Sequence, residues 1–285
     1  MKTVNSISGG KTSAYIAANY PADYNVFALV RTDDKKCMFP DAKLRQIVSD
    51  KIGKEFIGTL EDDIIIHTML DLEQFIGSEI TWVSGDTFDK IIERSTGIPN
   101  LPQPMRRFCS KEMKVDPIFK FWYSLNIDAW ECRLGFRANE MRRAKNTDNK
   151  LNEDGLLTHK AIIGKHKNGN NKWKEIAFQK PVYPLIENAI FKDDIENYWK
   201  DKPVRFAWMN NCVGCFHKNP ILLKKMMTLH PNKLDWFIKQ ENRAKVMRGN
   251  TWRQDVTYEK IKMSKLQIEL FDNDFNDCDS GYCGL

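Results

Sequence analysis

Short runs of β-branched and aromatic residues alternate with amphipathic stretches through the first half of the chain. Thr3–Ile7 reads as a strand; two glycines follow it, and a helix opens near Lys11. Tyr24–Val30, Glu55–Thr59 and Glu79–Val83 read as further strands, with Asp41–Ile52 and Phe88–Ser95 as helices. This alternation predicts an α/β fold built on a mostly parallel sheet. Pro99, Pro102 and Pro104 interrupt the pattern and place a loop there, after which Ser110–Tyr123 resumes as a helix and Asp128–Leu134 as a strand. Ala161–Gly164 and Lys172–Phe178 flank the polar run Lys167 to Asn171, which predicts a β-hairpin inserted at about residues 158–180. Lys192–Trp199 and Pro220–Arg248 are helical and basic in pattern, and Asp272 to Leu285 is acidic and cysteine-bearing. The expected organisation is an α/β domain over residues 1–205 and a basic helical, cysteine-bearing region over 206–285.

Composition narrows the class. A chain of 285 residues, 42% hydrophobic and 29% charged, can bury one core with a small appended module. It has no apolar run of about 18 residues and so predicts no membrane partner. Its start, MKTVNSISGG, lacks the apolar stretch of a signal peptide, which makes the cytoplasm the expected compartment. The net charge of +6 is compatible with an anionic ligand or nucleic acid. Seven cysteines is an odd count, and the spacings Cys212-x-x-Cys215 and Cys278-x4-Cys283 favour metal or redox chemistry over a disulfide framework.

The first loop carries the first candidate chemistry. Gly10-Lys11-Thr12 would end a Walker A loop, but that pattern requires glycine at position 5, where Asn5 stands. A strand, two glycines and a helix start nonetheless aim backbone N–H groups at a common point where an anion can sit. Ser8, Gly9, Gly10, Lys11, Thr12 and Ser13 are the candidate phosphate ligands, with Lys11 supplying charge.

Ser8-Gly9-Gly10-Lys11-x-Ser13 resembles the pyrophosphatase-type PP-loop of the adenine nucleotide alpha hydrolases, in particular their phosphoadenosine phosphosulfate (PAPS) reductase-like branch. Three further segments resemble that branch in the same order: "RRFCSKEMKVDP" from Arg106, "LGFRANEMRR" from Leu134, and "YPLIENAIFKDDIENYWKDKPV" running on to "NNCVGCFHKNP". The likeness covers roughly Lys2 to Pro220. It implies a Rossmann-like sheet of the adenine nucleotide alpha hydrolase (HUP) type, with a small cysteine-bearing C-terminal region. It also implies ATP or a related adenine nucleotide, with Mg, bound at the strand ends. Thr32 and Asp33 then follow the second strand where this fold recognises adenosine. Arg107 and Lys114, from a basic cluster with Arg106 and Lys111, become candidate ligands. So does Arg137, presented by Gly135 and followed by Arg142 and Arg143. Lys11 and Arg137 are the candidate catalytic cations. Thr12 departs from the aspartate often found in ATP-splitting relatives.

The resemblance also assigns cysteines. Cluster-bearing sulfonucleotide reductases of the family hold a 4Fe-4S cluster with a Cys-Cys pair and a later Cys-x-x-Cys. Here Cys109 matches the first position of the pair and Ser110 stands at the second, leaving Cys109, Cys212 and Cys215. Cys278 or Cys283 supplies a fourth thiolate if the tail folds back; otherwise one iron stays open and can carry sulfide. The alternative is zinc held by Cys212, Cys215, Cys278 and Cys283, with His217 as a substitute ligand. The chain ends Tyr282-Cys283-Gly284-Leu285, which is similar to the reductase tail without its glutamate and histidine, so Cys283 is also a candidate nucleophile. Cys37 and Cys132 have no partner spacing and read as structural.

Three functions stay open on this reading. One is ATP-dependent activation of an acceptor for sulfur or nitrogen transfer, with a sulfur-donor or reductant protein as partner. Another is sulfonucleotide reduction through a C-terminal cysteine. The third is a non-catalytic nucleotide- or nucleic-acid-binding module with structural zinc. Lys224, Lys225, Lys239, Arg243, Arg248 and Arg253, interleaved with Trp236 and Trp252, point to a nucleic-acid acceptor such as tRNA or DNA.

Overall fold

The computed structural model describes residues 1–94 and 96–265. Cys278 and Cys283, and with them the expected tail ligands and nucleophile, lie outside the described residues. In chain order the elements are β1 (Thr3–Ile7), α1 (Lys11–Asn19), β2 (Tyr24–Ala28), α2 (Ala42–Ile52), α3 (Ile64–Ile76), β3 (Ile80–Val83), α4 (Phe88–Glu93) and α5 (Phe108–Ser110). A π-helical turn, Lys111–Val115, leads into α6 (Asp116–Ser124). There follow β4 (Trp130–Arg133), α7 (Met141–Asp148), β5 (Leu157–Lys165), β6 (Asn171–Val182), α8 (Pro184–Glu187), α9 (Lys192–Trp199), α10 (Pro220–Leu229), α11 (Pro231–Arg248) and α12 (Tyr258–Met263). No described helix is long and apolar enough to cross a membrane.

The six strands form one sheet in the order β3-β2-β1-β4-β6-β5. β1 pairs in parallel with β2 and β4, and β4 with β6, while β5 closes the edge antiparallel to β6. The protein is therefore α/β with a mostly parallel sheet, an arrangement compatible with a Rossmann-like fold.

Local chemistry explains the boundaries. Asp41 caps α2 by accepting from the Lys43 and Leu44 N–H groups, and Gly53 ends it in the left-handed conformation at φ 62°. Asn219 caps α10 and Pro220 opens it. The single helix expected over Pro220–Arg248 is two helices, because Pro231 lacks the N–H needed to continue α10 past His230. Glu55–Thr59 forms no ladder; Gly58 instead makes isolated bridges to Thr32 and Met38. A Cβ on Gly58 would lie 2.0 Å from the Cys37 carbonyl oxygen, so only glycine permits that approach. Helix α3 was not expected, because Ile64-Ile65-Ile66 carries a β-branched signal that tertiary burial overrides.

The chain groups into two compact units rather than dividing once near residue 205. One comprises Met1–Phe27, Met69–Thr81 and Ile118–Val204; the other comprises Ala28–Thr68, Trp82–Pro117 and the described residues from Arg205 onward.

In the first unit, Asn5 and Asn25 are register partners on β1 and β2. Asn5 Nδ2 donates to Asn25 Oδ1 at 3.0 Å and to the Tyr20 carbonyl at 2.9 Å. The position where a Walker loop needs glycine is thus a buried strand residue. At the other sheet edge, His159 of β5 stacks on Phe119 of α6 at 4.2 Å between ring centroids.

In the second unit, α4, α10, α11 and α12 enclose a core of Phe88, Ile91, Leu223, Met226, Trp236, Phe237, Trp252 and Tyr258. Trp236 and Trp252 belong to this core, at 2% and 0% exposed, so they form no nucleic-acid face. Three of the interleaved cations are engaged within the unit. Arg243 pairs with Glu93, and Arg253 pairs with Asp255 and donates to the Phe216 and Lys218 carbonyls. Lys225 lies over the Trp208 ring at 4.2 Å. Trp236 turns inward from α11 as an amphipathic helix requires, while Trp252 reaches the same core from the segment between α11 and α12.

Candidate functional site

In the first unit β1 delivers the chain to Ser8, and α1 starts at Lys11 with no side-chain cap on its Gly10 N-cap. Gly9 adopts φ 83°, which glycine tolerates at no steric cost. Ser13 knits the turn together. Its hydroxyl donates to the Gly10 carbonyl at 3.0 Å and accepts from the Ser8 N–H at 3.1 Å, and the two serine hydroxyls lie 3.2 Å apart. Ser13 is thus a scaffold of the loop in this conformation. Ser8, Lys11 and Thr12 are half-buried, and Gly9, Gly10 and Ser13 are buried. Lys11 Nζ pairs with Glu196 of α9, and Trp199 Nε1 donates to the Lys11 carbonyl at 3.0 Å. Both members of the Lys11–Glu196 pair are more than a third exposed, so the pairing contributes about 0–1 kcal/mol and yields to a more highly charged anion.

Gly135 follows β4 and packs on the same loop. A Cβ there would lie 3.3 Å from Thr12 Cγ2 and 3.8 Å from Ser13 Cα. Two residues on, Arg137 is engaged by Glu140: its N–H and its Nε donate to Glu140 Oε2 at 2.9 and 3.1 Å. Arg143 Nη1 donates to Glu140 Oε1 at 2.6 Å and its guanidinium lies over the Phe136 ring at 4.4 Å. Burial pushes the Glu140 carboxyl up, but the Arg137 N–H and the two guanidinium groups outweigh it and hold it below its ordinary value. Glu140 is the organiser of this corner, and its signal was already present as the acidic residue three positions from each arginine.

In the second unit Thr32 and Asp33 belong to a network centred on Asp89. Thr32 Oγ1 and the Asp33 N–H both donate to Asp89 Oδ2, at 2.7 and 2.9 Å, and Trp236 Nε1 donates to Oδ1 at 2.8 Å. Asp33 Oδ2 accepts from Thr87 Oγ1 at 2.6 Å. Thr32 is 1% exposed, so its hydroxyl serves the fold, while Asp33 stays at the surface.

The same unit brings the separated cysteines together. Cys109, Cys212 and Cys215 line one pocket, with Arg107, Lys114 and His217 also in its wall. The two cysteine segments reach it by different means. Cys109 lies on α5, and the following π turn carries Met113 and Lys114 to the same wall. The Cys212–Cys215 loop starts from Asn211 at φ 74°. It is held by the Val213 N–H donating to the Leu60 carbonyl at 2.8 Å and by Tyr258 OH donating to the Gly214 carbonyl at 2.9 Å. The buried Lys218 ammonium donates to the Cys212 carbonyl at 2.8 Å. Gly214 is required here, since a Cβ would lie 2.4 Å from the Phe237 ring.

Burial pushes the Cys109 thiol up to about 11, with Cys215 adding to the shift. Cys212 is driven well above its ordinary value, by burial first and the Glu61 carboxylate second. His217 is pushed down to about 4 by burial and by Arg107, Arg253 and Lys218, which leaves its imidazole neutral. Burial thus favours the protonated Cys109 and Cys212 thiols; a soft cation would oppose that by stabilising the thiolates. The donor set therefore suits Fe-S or zinc chemistry, although among the described residues no group of three or more His, Cys, Asp or Glu side chains is arranged as a metal site.

Glu61 is the residue that motif reading missed here. It is 1% exposed, accepts from Lys114 Nζ at 3.0 Å, and its charge raises the Cys212 thiol. Its backbone carbonyl accepts from Lys233 Nζ at 2.6 Å. Lys114, expected as an anion ligand, is thus committed to a buried carboxylate, while Arg107 remains in the pocket wall. The signal was the run Glu61-Asp62-Asp63 directly after an apolar stretch. Cys37 and Cys132 are 2% exposed, and burial pushes both thiols up to about 12, as inert core cysteines require. Scans against protein-family models, curated proteins and solved structures each return no match.

Proposed function

We propose that this chain is an adenine-nucleotide-dependent enzyme of the PAPS reductase-like, PP-loop type, which activates an acceptor oxygen with ATP so that sulfur or nitrogen can replace it. The observation that carries this reading is the meeting of Cys109 with Cys212 and Cys215 in one pocket wall, across about a hundred residues of sequence. The strand–Gly-Gly–helix loop supports the nucleotide half of it. On this reading the first-turn N–H groups of α1 and the Lys11 ammonium hold the phosphates, and Gly9 and Gly10 allow the backbone to approach them. The acceptor oxygen attacks the α-phosphorus, pyrophosphate leaves, and a sulfur or nitrogen nucleophile then bonds to the acceptor carbon as AMP departs with the original oxygen. A 4Fe-4S cluster on Cys109, Cys212 and Cys215 would supply an iron position able to carry sulfide. The basic Arg107 in the pocket wall suits an anionic substrate.

The test has two arms. Protein purified without oxygen should be coloured and contain iron, and Cys109→Ser should lose both. Calorimetry should show ATP or AMP binding that Gly10→Val removes. Protein with neither iron nor zinc, or a Gly10→Val variant that binds nucleotide as the parent does, overturns the corresponding half.

A further inference from the structure

The β5–β6 ribbon changes character along its length. Its base is anchored, with His159 buried against Phe119 and meeting Phe178 edge-on. Every residue from Ile162 to Glu175 is exposed, so nothing within this unit accounts for the side chains chosen there. They are both basic and apolar. Lys160, Lys165, Lys167, Lys172 and Lys174 stand against one carboxylate, Glu175. Ile162 and Trp173 are cross-strand register partners, which puts both side chains on one face, and each is 51% exposed. The two-residue period of β6 sends Lys172 and Lys174 to the opposite face on either side of Trp173. The cross-strand indole–isoleucine pair adds only modestly to the ribbon's stability yet leaves about half of each side chain in water, and an excess of like charge destabilises the ribbon.

We propose that one face of this ribbon binds a single-stranded nucleic-acid segment, with Trp173 stacking on an unpaired base and Lys160 and Lys165, whose register partners Glu175 and Asn171 put them on the Trp173 face, contacting phosphates. Charge sets the partner's sign. The exposed indole requires an accessible base face, which a duplex does not offer along its length. A lipid surface is a poorer fit because the apolar pair sits midway along the ribbon, whereas its tip, Lys167 to Asn171, is wholly polar and exposed. This binding surface needs neither the nucleotide loop nor the thiol pocket, so it stands or falls independently of the proposed reaction.

The test is fluorescence anisotropy of labelled oligo-dT and oligo-U on the full chain across a salt series. The parent should bind at least one of the two. Lys160→Gln with Lys165→Gln should reduce the log–log salt slope by about 1.4, at about 0.7 per phosphate contact on a single strand. Trp173→Ala should weaken binding about tenfold and abolish tryptophan quenching, with the melting temperature lowered only slightly, because its one cross-strand partner is Ile162 and the side chain is half exposed. A control with the same loss of charge elsewhere, Lys36→Gln with Lys43→Gln, should bind as the parent does. Equal losses in the control and the ribbon variants overturn the proposal. So does parent-like binding by the ribbon variants, or association with phosphatidylserine vesicles in the absence of oligonucleotide binding.

Discussion

Lys114 Nζ lies 3.0 Å from Glu61 Oε1, and the other carboxylate oxygen, Oε2, is buried with no hydrogen-bond partner among the described residues. Glu61 thus depends on one ammonium group for most of its electrostatic compensation. Removing one member of a buried pair leaves the other charge desolvated and alone, at a cost of about 3–5 kcal/mol. Lys114→Met should lower stability by roughly 3 kcal/mol in urea titrations, since Lys114 itself is partly exposed. Adding Glu61→Gln should restore most of the loss. Additive destabilisation in the double variant would contradict the pairing.

Gly214 faces Phe237 so closely that an added methyl group forces a 1% exposed core ring to move. Overpacking of this kind costs about 1–3 kcal/mol. Gly214→Ala should show a lower melting temperature and, on the proposed function, reduced metal retention by Cys212 and Cys215. Gly53→Ala is the comparison, because its Cβ would meet nothing within 4 Å although its φ of 62° carries backbone strain. Only the Gly214 variant should combine lost stability with lost metal.

Ser13→Ala removes the acceptor of the Ser8 N–H and the donor to the Gly10 carbonyl. A buried donor left unsatisfied costs about 1–3 kcal/mol. The variant should be less stable and should bind adenine nucleotide more weakly by calorimetry, because the loop loses its internal brace. Unchanged nucleotide affinity would show that the loop's shape does not depend on this hydroxyl.

Glu140 gives a pH test with a definite sign. Its carboxyl is held below the ordinary value of 4.5 in the folded state, so the stability it contributes is present above that pH and is lost as the pH falls through and below it. Melting temperatures of the parent should therefore drop on acidification more steeply than those of Glu140→Gln. Parallel curves for the two proteins would remove Glu140 from the acid response.

The sheet was legible because strands and helices differ in hydrophobic period, and β1, α1 and α9 begin and end where that period changes. Periods are local, and so are caps such as Asp41 and Asn219 and breakers such as Pro231. The cysteine spacing also marked Cys212 and Cys215 as a pair from sequence alone. By contrast, Ile64 to Ile76 carried a β-branched signal that did not reveal a helix, because burial rather than propensity settled it.

What no local pattern contained was partnership over distance. The placement of Cys109 beside Cys212 and Cys215 depends on how the second unit's core packs, as does the inward turn of Trp236 and Trp252. The commitment of Lys114 to Glu61 was equally hidden, since two charges so far apart in sequence are no neighbours until the chain folds, whereas the i,i+3 spacing of Arg137 and Glu140 was visible. Sequence determined which residues carry chemistry and which elements bear them. Tertiary structure decided which of those groups are spent on one another and which, like the Lys172, Trp173 and Lys174 ribbon, are left facing solvent, because burial and pairing are properties of packed surfaces and not of the chain order.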